Sequence, residues 1–220
     1  TYSPDNQPCE VALFGNGFCL TGSEDPVNRT RRGLAVKLLG PRSVQVDNFV
    51  INTGEMLYSG GLWGLTCTVP GTGSRYAVPI GDGSTWDTYA MVSFRTWAGH
   101  GQGGFADEQI VVTDDFLLVE PKGIENKRMV QSHAGIIAMG DPERDITFAK
   151  KTGFDPLGRY PLNTNIAFYI GPDNFMVEME TMGPQRTLKP GQDLIHREIW
   201  VLQPGCLSFD SREPLLTLFG

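Results

Sequence analysis

Short runs of alternating or β-branched residues, each closed by turn residues, constrain the fold of this chain more than any other feature. The run Ser43–Ile51 alternates in polarity and ends at Asn52-Thr53-Gly54, and the run Leu34–Leu39 precedes it across Gly40-Pro41. A period of two is typical of a half-buried strand, and Gly and Pro favour turns. These two runs therefore predict an antiparallel hairpin.

The same pattern recurs along the rest of the chain. Its 220 residues include 27 glycines and 15 prolines, well above the usual share of about 12 %, which favours many tight turns between short strands. No repeat with a period of about 20–50 residues is present, which argues against a propeller. Further strands are predicted at Leu62–Val69, Tyr76–Ile80, Thr88–Thr96, Gln109–Glu120, Ile166–Ile170, Asn174–Met182, Thr187–Leu188 and Leu194–Leu202.

Two segments resemble helices but are interpreted as strands. Glu125–Met139 lacks proline but contains Gly135 and the pair Ile136-Ile137, and Asp141–Arg144 is followed too soon by Gly153 for a helix of normal length. The resulting prediction is an all-β fold, an antiparallel sandwich of two large sheets in one domain spanning residues 1–220.

The charge balance argues against polyanionic partners. The net charge is −7, from 18 basic and 25 acidic side chains, and the longest basic run is the pair Arg31-Arg32. Nucleic acid is therefore not an expected partner. Every apolar stretch is shorter than the roughly 18 residues needed to span a membrane, so no membrane partner is expected either.

The cysteines and the first residue bear on the compartment. The spacing of Cys9, Cys19, Cys67 and Cys206 lacks a C-x-x-C pair. Cys9 and Cys19 could bridge across a hairpin in an oxidising compartment, and buried free thiols are the alternative. The sequence begins at Thr1 rather than Met, as it would after loss of a signal peptide or in a shortened sequence. A secreted or periplasmic location is slightly favoured over the cytoplasm.

Several common catalytic and cofactor motifs are missing from the sequence. The glycine-rich stretch Gly101–Gly104 lacks the Lys-Ser/Thr of a phosphate loop, and neither a strand–GxGxxG–helix unit nor a Gly-x-Ser-x-Gly elbow occurs. The three histidines lack metal-binding spacing. No cofactor and no metal are predicted.

The C-terminal third carries a string of motifs that indicates a family. It runs through Phe175–Pro184, then Thr187–Gln192, then His196–Trp200. This string resembles galactose-mutarotase-like proteins, in which a strand carrying a Glu is followed by a Leu-x-Pro-Gly turn and a final strand ending in an aromatic. It is most similar to an uncharacterised bacterial family of that superfamily, related to the aldose epimerases.

Upstream segments extend the resemblance. Lys127–Met139 is similar to that family's Lys-x-Gly segment, Ile146–Lys151 to its Leu-Phe-Val-Lys-Arg, and Asn52-Thr53-Gly54 with Trp63–Thr66 to its Asn-Thr-Gly and Trp-x-Leu-Thr strands. The likeness is specific from about residue 120 to 202 and looser from 43 to 119. Residues 1–42 form a poorly matched N-terminal segment without the usual first block of strands, residues 43–202 a family-like core, and residues 203–220 a C-terminal tail.

The resemblance implies a β-supersandwich fold and an acid–base site. Mutarotation needs a base for the anomeric hydroxyl proton and an acid for the ring oxygen, and the superfamily's enzymes use a late-strand Glu and a His. Glu180 matches the base, with Glu178 second. Residues two apart in a strand share a face, so both carboxylates are expected opposite Val177 and Met179. The alternative is a solvated polar face.

Other candidates lie along the same resemblance. Lys127 and Lys150 match family lysines and are candidates for binding sugar hydroxyls or a carboxylate, with ordinary surface lysines as the alternative. His133 is the best candidate for the acid. His100, in the glycine-rich loop Ala98–Gly104, could reach over a pocket, whereas His196 is interpreted as structural.

Aromatic residues could supply a sugar-stacking platform. Trp86 and Trp97 lie in loop-like sequence and are the candidates, while Trp63 and Trp200 fall within predicted strands and are interpreted as core. Arg95, near Trp97, could bind a carboxylate through both of its terminal nitrogens.

Three functions remain open from the sequence. The first is an epimerase acting on a free sugar, and the second is a sugar-binding or accessory domain without catalysis. The third is a polysaccharide-lyase-type domain, in which Lys127, Lys150 and Arg95 would neutralise a uronate. The partner in each case is a sugar or oligosaccharide, and an exposed sheet edge would favour a homodimer.

Overall fold

Antiparallel strands make up most of the computed structural model of the chain, which describes residues 7–81, 90–94 and 106–220. The first strands are β1 (Glu10–Phe14), β2 (Gly17–Asp25), β3 (Thr30–Gly40), β4 (Ser43–Asn52), β5 (Tyr58–Gly60), β6 (Trp63–Thr68), β7 (Arg75–Pro79) and β8 (Met91–Ser93). The later strands are β9 (Ile110–Val112), β10 (Phe116–Val119), β11 (Asn126–Val130), β12 (Ile136–Asp141), β13 (Ile146–Thr152), β14 (Ile166–Ile170), β15 (Val177–Met182), β16 (Arg186–Leu188) and β17 (Asp193–Pro204).

The helical content is confined to single turns. A four-residue helix, α1 (Glu213–Leu216), lies near the C-terminus, and short 3-10 turns cover Pro161–Asn163, Pro172–Asn174 and Thr217–Phe219. No helix in the described ranges has the length and apolar character needed to cross a membrane.

Two large sheets face each other, as the sequence predicts. Ten strands form one sheet in the order β1-β2-β3-β4-β17-β13-β12-β7-β10-β9, and five form the other in the order β6-β15-β14-β11-β8. β5 and β16 make a separate two-stranded ribbon. Every strand pair is antiparallel, so the predicted all-β two-sheet class is confirmed.

The main core fills the space between the two sheets. Tyr76 and Ile137 from the ten-stranded sheet pack in one buried cluster with Phe168, Val177 and Met179 from the five-stranded sheet. A second cluster covers the opposite face of the ten-stranded sheet, where Phe209 and Leu215 of the C-terminal tail pack over β7, β12 and β13. The five-stranded sheet therefore has one face in the core and one outer face, part of which is covered by a third buried cluster of Met129, Ala167 and Met182.

The predicted hairpin of residues 34–39 and 43–51 is confirmed as β3 and β4, which pair from Thr30 opposite Asn52 to Gly40 opposite Ser43. The prediction that Gln109–Glu120 forms a single strand is wrong. The segment folds back into the paired strands β9 and β10 because the Thr113 hydroxyl accepts the backbone N–H groups of Asp115 and Phe116 and closes a turn.

Two further strand predictions need correction. Glu125–Met139 is interrupted between β11 and β12, where Gly135 has a φ of +63° and its backbone N–H bonds to the Ser132 carbonyl. Asp141–Arg144 is a turn after β12, because the Asp141 carboxylate accepts the backbone N–H groups of Glu143 and Arg144. A short polar side chain that captures local N–H groups competes with strand pairing.

The poorly matched N-terminal segment forms strands of its own. β1 and β2 form a hairpin that extends the ten-stranded sheet, and β1 is an edge strand whose five residues are all exposed. Its register places Cys19 opposite Ala12, three residues along from Cys9, so the hairpin does not bring the two sulfurs together. All four cysteines are free. The homodimer stays a prediction.

Candidate active site

The side chains of strand β15 alternate between the core and the outer face of the five-stranded sheet. Val177 and Met179 are buried in the core, whereas Glu178 and Glu180 point to the outer face of the five-stranded sheet. Tyr169 on β14 stands opposite Glu178 in the ladder. Lys127 on β11 stands opposite Tyr169 in turn, so neighbouring strands bring these polar side chains together.

Glu180 is held by two donors. Lys127 Nζ lies 2.6 Å from Glu180 Oε1 and 2.9 Å from Oε2, and Trp63 Nε1 donates to Oε2 at 2.6 Å. Glu180 has no exposed area and Lys127 only 5 %. The Lys127 ammonium and the indole N–H replace water as donors to this buried carboxyl group.

Glu178 is the less neutralised carboxyl of the two. Its pKa is raised to about 7, mainly because it is half-buried and secondly because it lies beside the negative charge of Glu180; Lys127 opposes the rise. Two carboxylates therefore share one lysine, and such a dyad retains a proton up to near-neutral pH. A carboxyl that holds a proton near neutral pH, placed beside a second carboxyl, gives the site two groups of the kind that acid–base catalysis requires.

The margins of this pair are acidic and aromatic. The Tyr169 hydroxyl donates to Glu125, and burial together with that carboxylate raises the Tyr169 pKa. Cys67, opposite Glu178 in the neighbouring strand, has a thiol pKa raised by burial and by the carboxylates of Glu178 and Glu180. The thiol is therefore not activated as a nucleophile.

Trp63 belongs to this face rather than to the core, which corrects the interpretation of the sequence. Trp63 is the ladder partner of Met182 and is 40 % exposed, and Lys127 Nζ lies 5.3 Å from the centroid of its ring. The signal that could have placed Trp63 beside Glu180 is the strand register, because Trp63 is two residues from Leu65, the ladder partner of Glu180. Pairing between strands distant in sequence fixes that register, and it is not visible from Trp63 alone.

Lys150 lies elsewhere. It has no exposed area and sits between the two sheets, where Nζ is 2.7 Å from Glu198 Oε1 and 2.9 Å from Thr66 Oγ1. Burial lowers its pKa, although the charge of Glu198 opposes that effect. The structure thus brings Lys127 to the carboxylate pair and leaves Lys150 on the other side of the sheet.

His133 and His196 lie in different surroundings. His133 is exposed in the turn before β12 and stacks on Phe154 with ring centroids 4.8 Å apart. His196 is buried and lies 2.7 Å from Thr181 Oγ1, and burial lowers its pKa. Trp200 is likewise inside the sandwich, where it meets Phe148 edge-on at 5.6 Å.

Four candidates lie outside the described residues. They are Trp86, Arg95, Trp97 and His100, and their roles stay predictions. Within residues 7–81, 90–94 and 106–220, no group of three or more His, Cys, Asp or Glu side chains is arranged to hold a metal ion. A cleft of about 640 Å³ lies at the β8 edge, lined by residues that include Arg128 and Asp107, and none of Glu178, Glu180 and Lys127 lines it.

Comparison with solved structures identifies the fold. A candidate aldose 1-epimerase from Escherichia coli K12 matches with a TM-score of 0.63 at 12 % identity, over 90 % of this chain and 69 % of that one. A galactose mutarotase-like protein from Lactobacillus casei matches with a TM-score of 0.60 at 11 % identity, over 89 % and 73 %. A protein from Synechocystis matches with a TM-score of 0.59 at 14 % identity, over 90 % of this chain and 66 % of its own length.

These matches concern architecture. No protein-family model and no curated protein matches the sequence. At 11–14 % identity the similarity shows a common fold, and a fold alone does not establish an activity. The chain spans 66 % of the Synechocystis protein, so the activity of a whole relative is not transferred with the fold.

Proposed function

We propose that this chain, which has the galactose mutarotase-like fold, interconverts the anomers of a neutral aldose by acid–base chemistry at Glu178 and Glu180. The observation that carries the proposal is the dyad on the outer face, in which Lys127 pairs with Glu180 and also acts through its charge on the adjacent Glu178. Aldose interconversion needs one proton taken and one proton given within the same site.

The proton movements balance over one cycle. Glu180 takes the proton of the anomeric hydroxyl while Glu178 gives its proton to the ring oxygen, and the bond between the anomeric carbon and the ring oxygen breaks. Rotation of the open-chain aldehyde exposes its other face. On closure the ring hydroxyl returns a proton to Glu178, and Glu180 returns its proton to the carbonyl oxygen, which restores the starting state.

Exposure sets the order in which a sugar meets the site. Glu180 has no exposed area, whereas Glu178 is partly exposed and Trp63 is 40 % exposed. A pyranose therefore engages Glu178 and the indole first, with its C–H face on the ring. Its anomeric hydroxyl reaches Glu180 by replacing the Trp63 N–H at Oε2.

The same charges disfavour an anionic sugar. A uronate would enter a face that carries Glu178, Glu180 and Glu125, where Lys127 is engaged by Glu180 and Lys150 lies inside the sandwich. Like charges brought together without an added cation repel. The lyase-type alternative loses two of its three proposed cations on this ground.

Polarimetry tests the proposal. Freshly dissolved α-glucose and α-galactose are followed with the native protein, with Glu180→Gln and with Glu120→Gln. The last is a matched control, because Glu120 is exposed and paired with Arg75 away from the dyad. We expect acceleration by the native protein, a loss of about 10²–10⁴-fold in Glu180→Gln and no change in the control.

Two results would contradict the proposal. The first is an absence of acceleration with a panel of aldoses, and saturable sugar binding in its place would favour the non-catalytic binding domain. The second is acceleration that survives in Glu180→Gln, which would place the chemistry elsewhere.

A further inference from the structure

A buried polar cluster joins the two sheets directly behind the dyad. We call it the inter-sheet cluster, and its members are Lys150, Thr181, His196, Glu198 and Trp200. Glu198 is 1 % exposed and accepts from Lys150 Nζ at 2.7 Å, from Trp200 Nε1 at 3.1 Å and from the Thr181 hydroxyl. In the described part of the chain, every buried side-chain nitrogen and oxygen has a partner.

The direction of the hydrogen bonds follows from the donor count. Thr181 has one hydroxyl proton, and Glu198 is an acceptor only, so the Thr181 proton goes to Glu198. The contact of 2.7 Å between Thr181 Oγ1 and His196 Nε2 then requires that Nε2 carry a hydrogen and donate it. Thr181 is therefore fixed both as a donor and as an acceptor.

The cluster is built into the sheet rather than added to it. A Cβ atom at Gly64, the ladder partner of Thr181, would lie 3.0 Å from Glu198 Oε1 and 3.2 Å from Asn48 Nδ2. The glycine thus makes the space in which the Glu198 carboxylate reaches β15. A buried ion pair adds little net stability compared with apolar packing, so stability alone does not account for this cluster.

The cluster forms hydrogen bonds to β15 at the residues before and after Glu180. Lys150 Nζ donates to the Met179 carbonyl at 3.1 Å, and the Thr181 side chain is held by Glu198 and His196. Met179 and Thr181 point inward and Glu180 points outward, because side chains alternate along a strand. The two residues that flank Glu180 are therefore anchored to the ten-stranded sheet.

We propose that Thr181, held by Glu198 and His196, is a positioning residue that fixes the Glu180 carboxylate against Lys127 and beside Glu178. The inference rests on the proposed function for its catalytic consequence. Its structural part, the geometry of the dyad, stands independently. A sugar would not touch Thr181, which acts through the backbone of β15.

The test uses two substitutions at one position and a matched control. Thr181→Val keeps the shape but removes the hydroxyl, and Thr181→Ser restores the hydroxyl. Thr152→Val removes a buried hydroxyl of another strand, which donates to the Arg197 carbonyl away from β15. Thr181→Ala replaces the valine variant if the latter does not fold.

The readout is the titration of Glu178, followed by carboxyl ¹³C NMR with the resonance assigned from Glu178→Gln. The charged and titratable groups that face Glu178 are Glu180 on its own strand, Lys127 and Tyr169 from one side, and Cys67 from the other. When β15 is no longer anchored, the contact with Glu180 weakens. We expect the Glu178 midpoint to fall towards the ordinary glutamate range in Thr181→Val, and to stay near the native value in Thr181→Ser and Thr152→Val.

Polarimetry on the same proteins separates the two proposals. A fall of about tenfold or more in the rate of Thr181→Val, with recovery in Thr181→Ser, is expected if both hold. A native protein without mutarotase activity would remove the proposed function, while the shift in the Glu178 midpoint would still support the positioning role. A native-like midpoint in folded Thr181→Val, or an equal change in Thr152→Val, would overturn the inference.

Discussion

Two buried lysine–glutamate pairs lie on opposite sides of the five-stranded sheet. Their distances are similar, and they differ in the groups that surround them. Lys127 and Glu180 are 2.6 Å apart on the outer face, and Lys150 and Glu198 are 2.7 Å apart between the sheets. The inner carboxylate has neutral donors from Thr181 and Trp200 in addition to its lysine. In the inner pair, one carboxylate therefore faces one lysine.

The outer pair has a second carboxylate beside it. Glu178 is half-buried near Glu180, and its pKa is raised to about 7. The ratio of carboxylates to lysines, rather than the length of either ion pair, therefore separates a structural pair from one that can exchange a proton. Substitutions that change this ratio, or remove one pair, test the comparison.

The largest effect is expected from breaking the inner pair. Lys150→Met leaves Glu198 buried without its cation, and we expect a loss of about 3–5 kcal/mol in the free energy of unfolding. Chemical denaturation measures it. Lys151→Met is the control, because that adjacent lysine is only partly buried, over Phe219 on the other face of the strand. Similar losses in the two variants would show that the inner pair has no special role.

A smaller effect is expected from the pH dependence that the dyad imposes. The raised pKa of Glu178 means that the folded protein binds a proton that the unfolded chain has released, between about pH 4.5 and 7. Its contribution to stability is full below that window and is lost as the pH rises through it. Glu178→Gln removes this loss, so we expect it to gain about 1–2 kcal/mol relative to the native protein from acid to alkaline pH; this is less than the full shift would give, because water screens a half-exposed carboxyl.

Thermal unfolding of native protein and Glu178→Gln at about pH 5 and 8 measures the difference. Glu120→Gln serves again as the exposed control. A constant difference between native protein and Glu178→Gln at the two pH values would show that Glu178 titrates normally and that no dyad forms.

Replacement of the two indoles sharpens the contrast between the faces. Trp63→Phe removes the N–H that Glu180 accepts in the sugar-free protein, but the anomeric hydroxyl replaces that N–H, so the catalytic effect comes from the smaller stacking surface. We expect about a tenfold fall in kcat/KM, or about 1.4 kcal/mol. Trp200→Phe removes the equivalent N–H from Glu198 and should change stability with little effect on catalysis. Steady-state polarimetry measures the catalytic loss of each variant, and thermal unfolding measures the change in stability. Equal catalytic losses would contradict the assignment of separate roles.

The smallest effect is expected from an exposed ion pair. Arg197 meets Asp47 at 2.7 Å, but the arginine side chain is 57 % exposed. Arg197→Ala should cost only about 0–1 kcal/mol, because water screens the pair. A loss comparable to that of Lys150→Met in chemical denaturation would mean that exposure does not separate these interactions.

Local patterns predicted what depends on one strand at a time. The alternation of Val177 to Met182 correctly predicted that Val177 and Met179 face the core. The β3–β4 hairpin followed from two adjacent runs and the turn between them. The turn that divides Gln109–Glu120 was missed. The segment is rich in strand-forming residues, and the sequence pattern does not show that the Thr113 hydroxyl binds two backbone N–H groups and closes a turn.

Features that depend on distant strands were not accessible. The placement of Lys150 inside and Lys127 outside follows from the order of β13 and β11 in different sheets, although both residues match lysines in the same family pattern. Trp63 joins the dyad only through its contact with Glu180, which is 117 residues away in the sequence. A single sequence records such long-range register only weakly.

The central claim is that the outer-face dyad holds one proton near neutral pH and uses it on an aldose. Its most direct test is the pH dependence of kcat for mutarotation of α-glucose from about pH 5 to 9, after subtraction of the buffer-catalysed rate. We predict a rate that falls as the pH rises through about 7, where Glu178 loses its proton, with the fall moved to higher pH in Lys127→Met because the charge that opposes the shift is gone. A native rate that stays constant across this range, or a limb that Lys127→Met leaves in place, would contradict the account.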